Sequence, residues 1–405
     1  KTAGDSLGWF VLLSVGLGSI LQAASCSSDT TQTSTSETTS LTTDQVATVE
    51  AMLASFWPDL LAPTLAQTVD NVDELTLSAQ AWRTALEAGG DGEMERTEVQ
   101  TAWTEAMRSW QAMELLQVGP AAEPLSANGG LGFRDNLYSW PSTNPCRVDQ
   151  ETVEENWNDA DFFTINVSNV MGFDAIEVLL FTSDEENNCA IPININADGT
   201  WDALGVDGVR LNRAAYTVAL SEQMAVELAE LETAWSPEGG DFQGVLTTPG
   251  NDVYENRMVA LNALYDALFY LETSVKDRKL GWALGYNDCG QDDCSAYAES
   301  PFAGMSTRWV EQNLTTFRAL FMSGFYDLLV SFDEQTLADD MVAALDNADA
   351  TVLTLGDALP TTTSDDAAEG DDFYQAVKQV TDLVKGDLAT VLTLQIPAEA
   401  TGDVD

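Results

Sequence analysis

The chain has 405 residues, and its 66 Asp and Glu side chains exceed its 16 Lys and Arg side chains, which gives a formal net charge of −50. It contains no histidine, so Ser-His-Asp triads, Cys-His pairs, HExxH zinc sites and His-ligated haem are excluded. The charge argues against nucleic-acid binding, because phosphate backbones are bound by clustered Lys and Arg. Hydrophobic residues make up 45% of the chain, which predicts a folded core.

The first 43 residues are typical of an export signal followed by a tether. The apolar run from Trp9 to Leu21 is too short to span a hydrocarbon core of about 30 Å as a helix, and it predicts a signal peptide over residues 1–25. Small residues before Cys26 resemble a bacterial lipobox, in which the cysteine is lipidated; an ordinary signal that leaves Cys26 as a free thiol is the alternative. Ser and Thr dominate residues 26–43, which predicts a flexible tether.

Four further cysteines follow the tether, at positions 146, 189, 289 and 294. An even number in an exported chain predicts two disulfides, with three connectivities open. The simplest pairing joins Cys146 to Cys189 and Cys289 to Cys294. A four-cysteine zinc site is the alternative, and its usual ligand spacing is absent.

Apolar residues recur at helical spacing through the remainder of the chain, and no stretch alternates with period two for long enough to predict a sheet. Residues 121–150 and 184–202 are polar or rich in Gly, Pro and Asn, which predicts loops. The fold class is therefore all-α, with two packed helical bundles over residues 44–200 and 201–400 and a ligand cleft at their junction. The predicted helices are Asp44–Leu65, Val72–Leu86, Met94–Gln117, Val170–Phe181, Val206–Trp235, Tyr254–Leu284, Met305–Val330, Asp333–Leu359 and Phe373–Leu394.

Residues 172–181 read GFDAIEVLLF and resemble the GxHxxE segment of imelysin-like proteins. Further segments are similar to that family in the same order: Trp110–Glu114 with Gly119-Pro120, Arg134 to Trp140-Pro141, Arg278–Gly281 with Gly285, and Glu299–Phe302 with Asn313-Leu314. The resemblance covers residues 44–395. It implies an exported, often lipid-anchored, all-helical protein associated with bacterial iron uptake. Some members of the family are classed as M75 metallopeptidases, and the GxHxxE motif is taken as a metal site.

This sequence departs from the motif at its histidine, which is replaced by Asp174. Asp174 and Glu177 are three residues apart and share a helix face, so the pair could bind a hard cation such as Fe³⁺, Ca²⁺ or Mg²⁺. The family packing implies that Glu114 joins them as a third metal ligand. A hydrolytic zinc site usually requires nitrogen ligands, and without histidine the peptidase activity is not expected.

A structural role is the alternative for each carboxylate. Glu177 lies among apolar residues, and a buried carboxylate needs a partner, which Arg134 or Arg278 could supply. Asp174 could face solvent, and Glu114 could be an exposed helix carboxylate. Arg134 and Arg278 could instead grip an anionic chelator. Trp140 and Glu299, from two of the similar segments, complete the predicted set of ligand or charge-balancing residues.

The charge of −50 has two interpretations. It fits adaptation to salty surroundings, where counterions screen self-repulsion, and it fits weak collection of many cations near a membrane. In either case we expect the fold to lose stability at low ionic strength.

These observations lead to three hypotheses. The leading one is a non-enzymatic, monomeric, lipid-anchored protein of the cell envelope that binds iron, another cation or an iron-bearing ligand between two bundles, with iron-uptake components as partners. Ser27 favours the outer membrane over the inner one for the anchor. The second hypothesis is an M75-type metallopeptidase. The third is a surface interaction protein that keeps the motif only for packing.

Overall fold

Helices make up the regular structure throughout residues 41–122, 130–165, 167–288, 297–362, 364–397 and 400, which are the residues that this computed structural model describes. No strand occurs among them, which confirms the all-α prediction. Nine α-helices form the framework of the described structure: α1 (Thr43–Ser55), α2 (Ala62–Glu87), α3 (Glu93–Glu114), α4 (Gly172–Phe181), α5 (Thr200–Trp235), α6 (Arg257–Leu268), α7 (Ser306–Leu320), α8 (Gln335–Val352) and α9 (Ala367–Leu383).

Four π-helical segments continue these α-helices. They are Phe56–Leu61 between α1 and α2, Leu271–Leu280 after α6, Phe321–Phe325 after α7 and Val384–Leu388 after α9. Shorter α-helices are Phe133–Leu137, Pro145–Glu154, Phe162–Ile165, Asn194–Ala197, Phe242–Thr247, Gly281–Ala283, Tyr326–Ser331 and Ala389–Leu392.

Local sequence explains several of the helix ends. A capping box begins α1, because the Thr42 hydroxyl accepts the Gln45 backbone N–H and the Gln45 side chain accepts the Thr42 N–H. Acidic residues in the first turn of α3, Glu93 and Glu95, interact favourably with the helix dipole. The turn between α2 and α3 contains Gly89, whose φ of 82° is a left-handed conformation that glycine adopts without strain.

The first bundle consists of α2, α3, α4 and α5. Helix α2 packs along both α3 and α5, and α4 packs against α3 and α5. Trp82 and Trp103 are fully buried between these helices. The Trp103 indole N–H donates to the Phe173 carbonyl at 3.0 Å, which ties α3 to the beginning of α4.

The second bundle consists of Leu271–Leu280, α7, α8 and α9. Leu271–Leu280 packs on α7 and α9, and α8 packs on α7 and α9. Helix α1 packs against α6 and against the π-helical segment Phe321–Phe325, which continues α7 of this bundle. A Cβ at Gly324 would lie 2.5 Å from the Met52 side chain, so this close approach requires glycine. Helices α3 and α7 pack together and bring the two bundles into contact.

These packing partners do not follow the boundary that the sequence predicted between residues 200 and 201. Helix α1 lies with the later bundle, and α5 lies with the earlier one. The described chain from Leu41 onward forms one compact unit, with a single large core that runs through both bundles. That each half forms its own domain stays a prediction.

The predicted loops are more helical than their composition suggests. Residues 121–150 contain two helices, and the second begins because the Asn144 side chain caps the Arg147 N–H and Pro145 occupies the first helical position. Its Cys146 forms the predicted disulfide with Cys189. Residues 184–202 contain a short helix and the beginning of α5.

Several predictions concern residues outside the described part of the chain. They are the signal peptide, Cys26, the tether up to residue 40, and the Cys289–Cys294 pair. Within the described residues, none of the helices is both long enough and apolar enough to cross a membrane.

Candidate functional site

The motif helix α4 is buried in the first bundle, and its Glu177 reaches the backbone of residues 302 and 303. Gly172 begins it with a φ of 70°, and a Cβ there would lie 2.2 Å from the Leu137 carbonyl oxygen. Glycine therefore allows the beginning of α4 to lie directly against residues 137–140. Asp174 and Glu177 retain only 4% and 2% of their surface exposed, so the prediction of a solvent-facing Asp174 is wrong.

Asp174 is held by the backbone of residues 139 and 140. Its Oδ2 accepts the N–H of Ser139 at 2.7 Å and the N–H of Trp140 at 2.9 Å. Burial raises the pKa of Asp174 to about 7, although nearby Arg134 and the two backbone amides lower it. The carboxyl group therefore keeps its proton to a higher pH than an ordinary aspartic acid does.

Glu177 lies one turn further along α4 and is held in the same manner by a different loop. Its Oε1 accepts the N–H groups of Phe302 and Ala303 at 2.9 and 2.8 Å. Burial raises the pKa of Glu177 to about 8, and repulsion from Asp174 and Glu299 adds to the rise. Glu177 makes no ion pair with any described arginine or lysine, so the predicted pairing with Arg134 or Arg278 is wrong.

Glu114 closes the end of α3 and is fully buried, which contradicts its placement on an exposed helix face. Its Oε1 accepts the Arg134 Nε–H at 3.0 Å, and its Oε2 accepts a short hydrogen bond from the Tyr270 hydroxyl. Arg134 also donates to the Trp140 carbonyl at 3.0 Å. Trp140 therefore serves the site through its backbone, while its buried ring packs near Trp282.

Lys279 is the second cation of the site and is fully buried. Its Nζ lies 2.8 Å from Glu299 Oε1 and 3.7 Å from Glu114 Oε2. Glu299 Oε1 also accepts hydrogen bonds from the Gln111 side chain and the Tyr138 hydroxyl. Burial raises the pKa of Glu299, and Lys279 opposes that rise.

We name these residues the buried carboxyl cluster: Glu114, Asp174, Glu177 and Glu299 with Arg134, Lys279, Tyr138 and Tyr270. Four carboxyl groups share two permanent cations, so two of the carboxyl groups have no matching positive side chain. Three carboxyl oxygens have no hydrogen-bond donor among the described residues: Asp174 Oδ1, Glu177 Oε2 and Glu299 Oε2. Of the three, Glu299 Oε2 is fully buried as an atom, and a buried oxygen normally has a partner.

The donor chemistry of the cluster fits a hard cation, because it consists of carboxyl and phenol oxygens. It does not fit tetrahedral zinc, which favours nitrogen and sulfur ligands. The described residues contain no ready group of three or more acidic or cysteine side chains positioned to hold a metal ion. The three predicted metal ligands Asp174, Glu177 and Glu114 therefore share one cluster without forming a preassembled metal centre.

Sequence reasoning found part of this cluster and missed the rest. It named Glu114, Arg134, Asp174, Glu177 and Glu299, which lie together. Arg278 is exposed and has no described contact with them. Lys279 occupies the charge-balancing position that was predicted for Arg278. The sequence holds a signal for this, because Lys279 follows the apolar Val275 by four residues and residues at this spacing share a helix face. The other missed residues are Gln111, Tyr138, Tyr270 and Asn313.

The fold and the cluster define a protein of two helical bundles with a buried, oxygen-rich cluster beneath a G-x-D-x-x-E helix. The model of the imelysin family, Peptidase_M75, matches residues 61–387. The chain belongs to the imelysin family.

Two solved structures share the fold. An imelysin-like protein from Psychrobacter arcticum 273-4 is 18% identical, with a TM-score of 0.63 over 87% of this chain and 97% of that one. A protein assigned as an iron-regulated protein A precursor from Parabacteroides distasonis ATCC 8503 is 14% identical, with a TM-score of 0.63 over 87% and 96% of the two chains. A search of curated proteins gave no match.

Proposed function

We propose that this protein binds a cation or an iron-bearing ligand at the buried carboxyl cluster, without catalysis, as a lipid-anchored member of the imelysin family in the bacterial cell envelope. The observation that carries the proposal is Glu299 Oε2, a fully buried carboxyl oxygen without a donor. Asp174 Oδ1 and Glu177 Oε2 in the same cluster also have no donor among the described residues. A cation supplies the missing electrostatic partner for such oxygens, because carboxylates and hard cations are favoured ligands of each other.

The balance of charge supports the same conclusion. Arg134 and Lys279 compensate Glu114 and Glu299, so the two carboxyl groups of α4 remain without a permanent counterion. Protons occupy them in part near neutral pH, since their pKa values are about 7 and about 8. A divalent cation would replace these protons, and binding would then release protons to the solvent.

Three further considerations define the rest of the proposal. Without histidine in the chain, the nitrogen ligands of a typical zinc peptidase are lacking. Iron is favoured because the Parabacteroides relative is described as iron-regulated. Cys26 after an apolar run of residues favours a lipid anchor, with iron-uptake components as partners.

The test is titration calorimetry of the compact unit from Leu41 to Asp405 in high salt. The titrants are Fe²⁺ without oxygen, Ca²⁺, Mg²⁺ and ferric citrate. We expect saturable binding of a single ion or chelate, with proton release. Glu177→Gln should weaken that binding at least tenfold. Glu230→Gln, which removes the same charge from an exposed position on α5, should leave it unchanged.

Other outcomes would point to the alternative functions. Weak binding of many ions, equal in both variants, would leave only condensation on the acidic surface and would favour a surface interaction protein. Cleavage of casein by the same sample, abolished by a chelator, would favour a metallopeptidase and would contradict the non-catalytic part of the proposal.

A further inference from the structure

The ammonium group of Lys279 lies in a shell made of side-chain oxygens. Its Nζ is 2.6 Å from Gln111 Oε1, 2.8 Å from Glu299 Oε1, 3.0 Å from Asn313 Oδ1 and 3.7 Å from Glu114 Oε2. The Tyr270 ring lies 5.6 Å from the same nitrogen. Three of these oxygens lie within hydrogen-bond distance and match the three donors of an ammonium group, and Glu114 Oε2 is a fourth oxygen at a longer distance. The shell therefore surrounds one positive charge with side-chain oxygens, as the first shell of a monovalent cation does.

The oxygens of this shell are fixed by contacts other than those with Lys279. The Asn313 amide nitrogen donates to the Gln111 carbonyl at 2.8 Å, so the Asn313 amide oxygen faces inward. The Gln111 amide nitrogen donates to Glu299 Oε1 at 3.1 Å, which turns the Gln111 amide oxygen inward as well. Tyr138 donates to Glu299 from another side. The shell is therefore preorganised by α3, α7 and the residues around Glu299, independently of the lysine.

We infer that Lys279 is a specificity-determining residue that fills a monovalent-cation shell with the chain's own ammonium group, and so keeps free ions of potassium size out of the cluster. An ammonium group and a potassium ion have the same charge and similar size. The inference goes beyond the proposed function, because it concerns the oxygens of Gln111, Asn313 and Glu299. A cation bound as proposed above would therefore use the oxygens that Lys279 does not contact, on Asp174, Glu177 and Glu299 Oε2.

Lys276 provides a matched control within the same π-helical segment. It is also fully buried, and its Nζ lies 2.7 Å from Asp277 and 3.7 Å from Glu272. A second lysine, Lys385, lies 3.2 Å from Glu272. The loss of Lys276 therefore leaves another ammonium group beside the same carboxylate, whereas no described lysine or arginine other than Lys279 contacts Glu299.

The test compares the wild type with Lys279→Met and Lys276→Met in chloride salts of K⁺, NH₄⁺, Na⁺ and tetramethylammonium at one ionic strength. Constant ionic strength separates ion binding from general screening of the charge of −50. We expect a melting temperature of Lys279→Met that is higher in K⁺ and NH₄⁺ than in tetramethylammonium, with saturation. We also expect equilibrium dialysis to show a single bound Rb⁺ in this variant and none in the wild type or in Lys276→Met.

Each remaining outcome decides the inference. If Lys279→Met unfolds in Na⁺, recovery of its fold in K⁺ or NH₄⁺ alone supports the inference, and the lack of recovery in every salt overturns it. Equal melting temperatures of Lys279→Met in all four salts overturn it, as does a bound Rb⁺ in the wild type. The double variant Lys279→Met with Glu299→Gln should lose the K⁺ effect, because it removes a charged oxygen of the shell. A K⁺ effect that persists there would overturn the assignment.

Discussion

Asp174 and Trp140 are 34 residues apart in the chain, yet Asp174 Oδ2 accepts the Trp140 backbone N–H at 2.9 Å. One turn later, Glu177 accepts the backbone N–H groups of Phe302 and Ala303. Helix α4 therefore holds two loops that are distant in the sequence. Each of the two carboxyl groups accepts the backbone amides of one loop. Asp174 and Glu177 therefore have a positioning role in addition to any ligand role.

The first prediction concerns the four backbone amides that Asp174 and Glu177 accept. Asp174→Ala should speed hydrogen exchange at Ser139 and Trp140, and Glu177→Ala should speed it at Phe302 and Ala303, because each amide loses its acceptor. We expect at least a tenfold change, measured by native-state exchange with mass spectrometry or NMR. Each variant is the control for the other. Equal acceleration of both loops by both variants would indicate general destabilisation and would contradict two separate anchors.

The second prediction concerns pH. The pKa of Glu177 rises from 4.5 to about 8 on folding, so the folded state holds a proton that the unfolded state releases between these values. Stability should therefore fall as pH rises from about 4.5 to about 8. Below that window both states are protonated, and above it the loss is complete.

Glu177→Gln isolates this contribution, because glutamine accepts the same backbone amides and never ionises. The variant and the wild type should have similar free energies of unfolding at pH 4.5, and the variant should be more stable at pH 8. Urea denaturation in high salt at several pH values measures the difference. A difference that is constant with pH would contradict the raised pKa.

Local signals account for most of the fold that the sequence predicted. Helical periodicity and Gly-Pro breaks give the helices, and the disulfide pairing of Cys146 and Cys189 was correct. The partners of each helix were harder to predict, because α1 and α5 pack across the expected boundary. Their apolar faces indicate burial, but such faces do not specify the neighbour.

The candidate site shows the same division between local and long-range information. The spacing of Asp174 and Glu177 shows that they share a helix face. Their backbone partners lie in loops far away in the sequence, so no short pattern could reveal them. The similarity to the family identifies the segment Arg278–Gly281 but does not indicate which of its side chains points inward. Arg278 was therefore predicted in place of its neighbour Lys279.

The third prediction concerns the disulfide. Cys146 and Cys189 are 43 residues apart, so their bond restricts a large loop of the unfolded chain and should stabilise the fold by about 4 kcal/mol. Cys146→Ser with Cys189→Ser should lower the free energy of unfolding by that amount, measured in urea. The double variant is preferable to chemical reduction, because the chain contains other cysteines. A loss below about 1 kcal/mol would show that the unfolded chain is already compact in this region.

The fourth prediction concerns Arg213, which lies outside the cluster and is fully buried. Its guanidinium group lies 3.2 Å from Asp149 and 2.9 Å from Asp184, and it also donates to the Thr182 carbonyl. Arg213→Met would leave the buried Asp149 without a counterion among the described residues, whereas Asp184 would keep Arg96 and Arg210. The uncompensated Asp149 should cost about 3–5 kcal/mol. Urea denaturation at neutral pH measures this loss.

Arg210 offers the matched control, because it contacts the same Asp184 at 3.0 Å from a more exposed position. Arg210→Met should cost only about 1 kcal/mol, since solvent can replace part of the lost interaction. Equal losses in the two variants would mean that burial of Arg213 adds nothing to its contribution. We expect the larger loss for Arg213. Its ion pair with Asp149 connects α5 to the helix Pro145–Glu154, which also carries the disulfide.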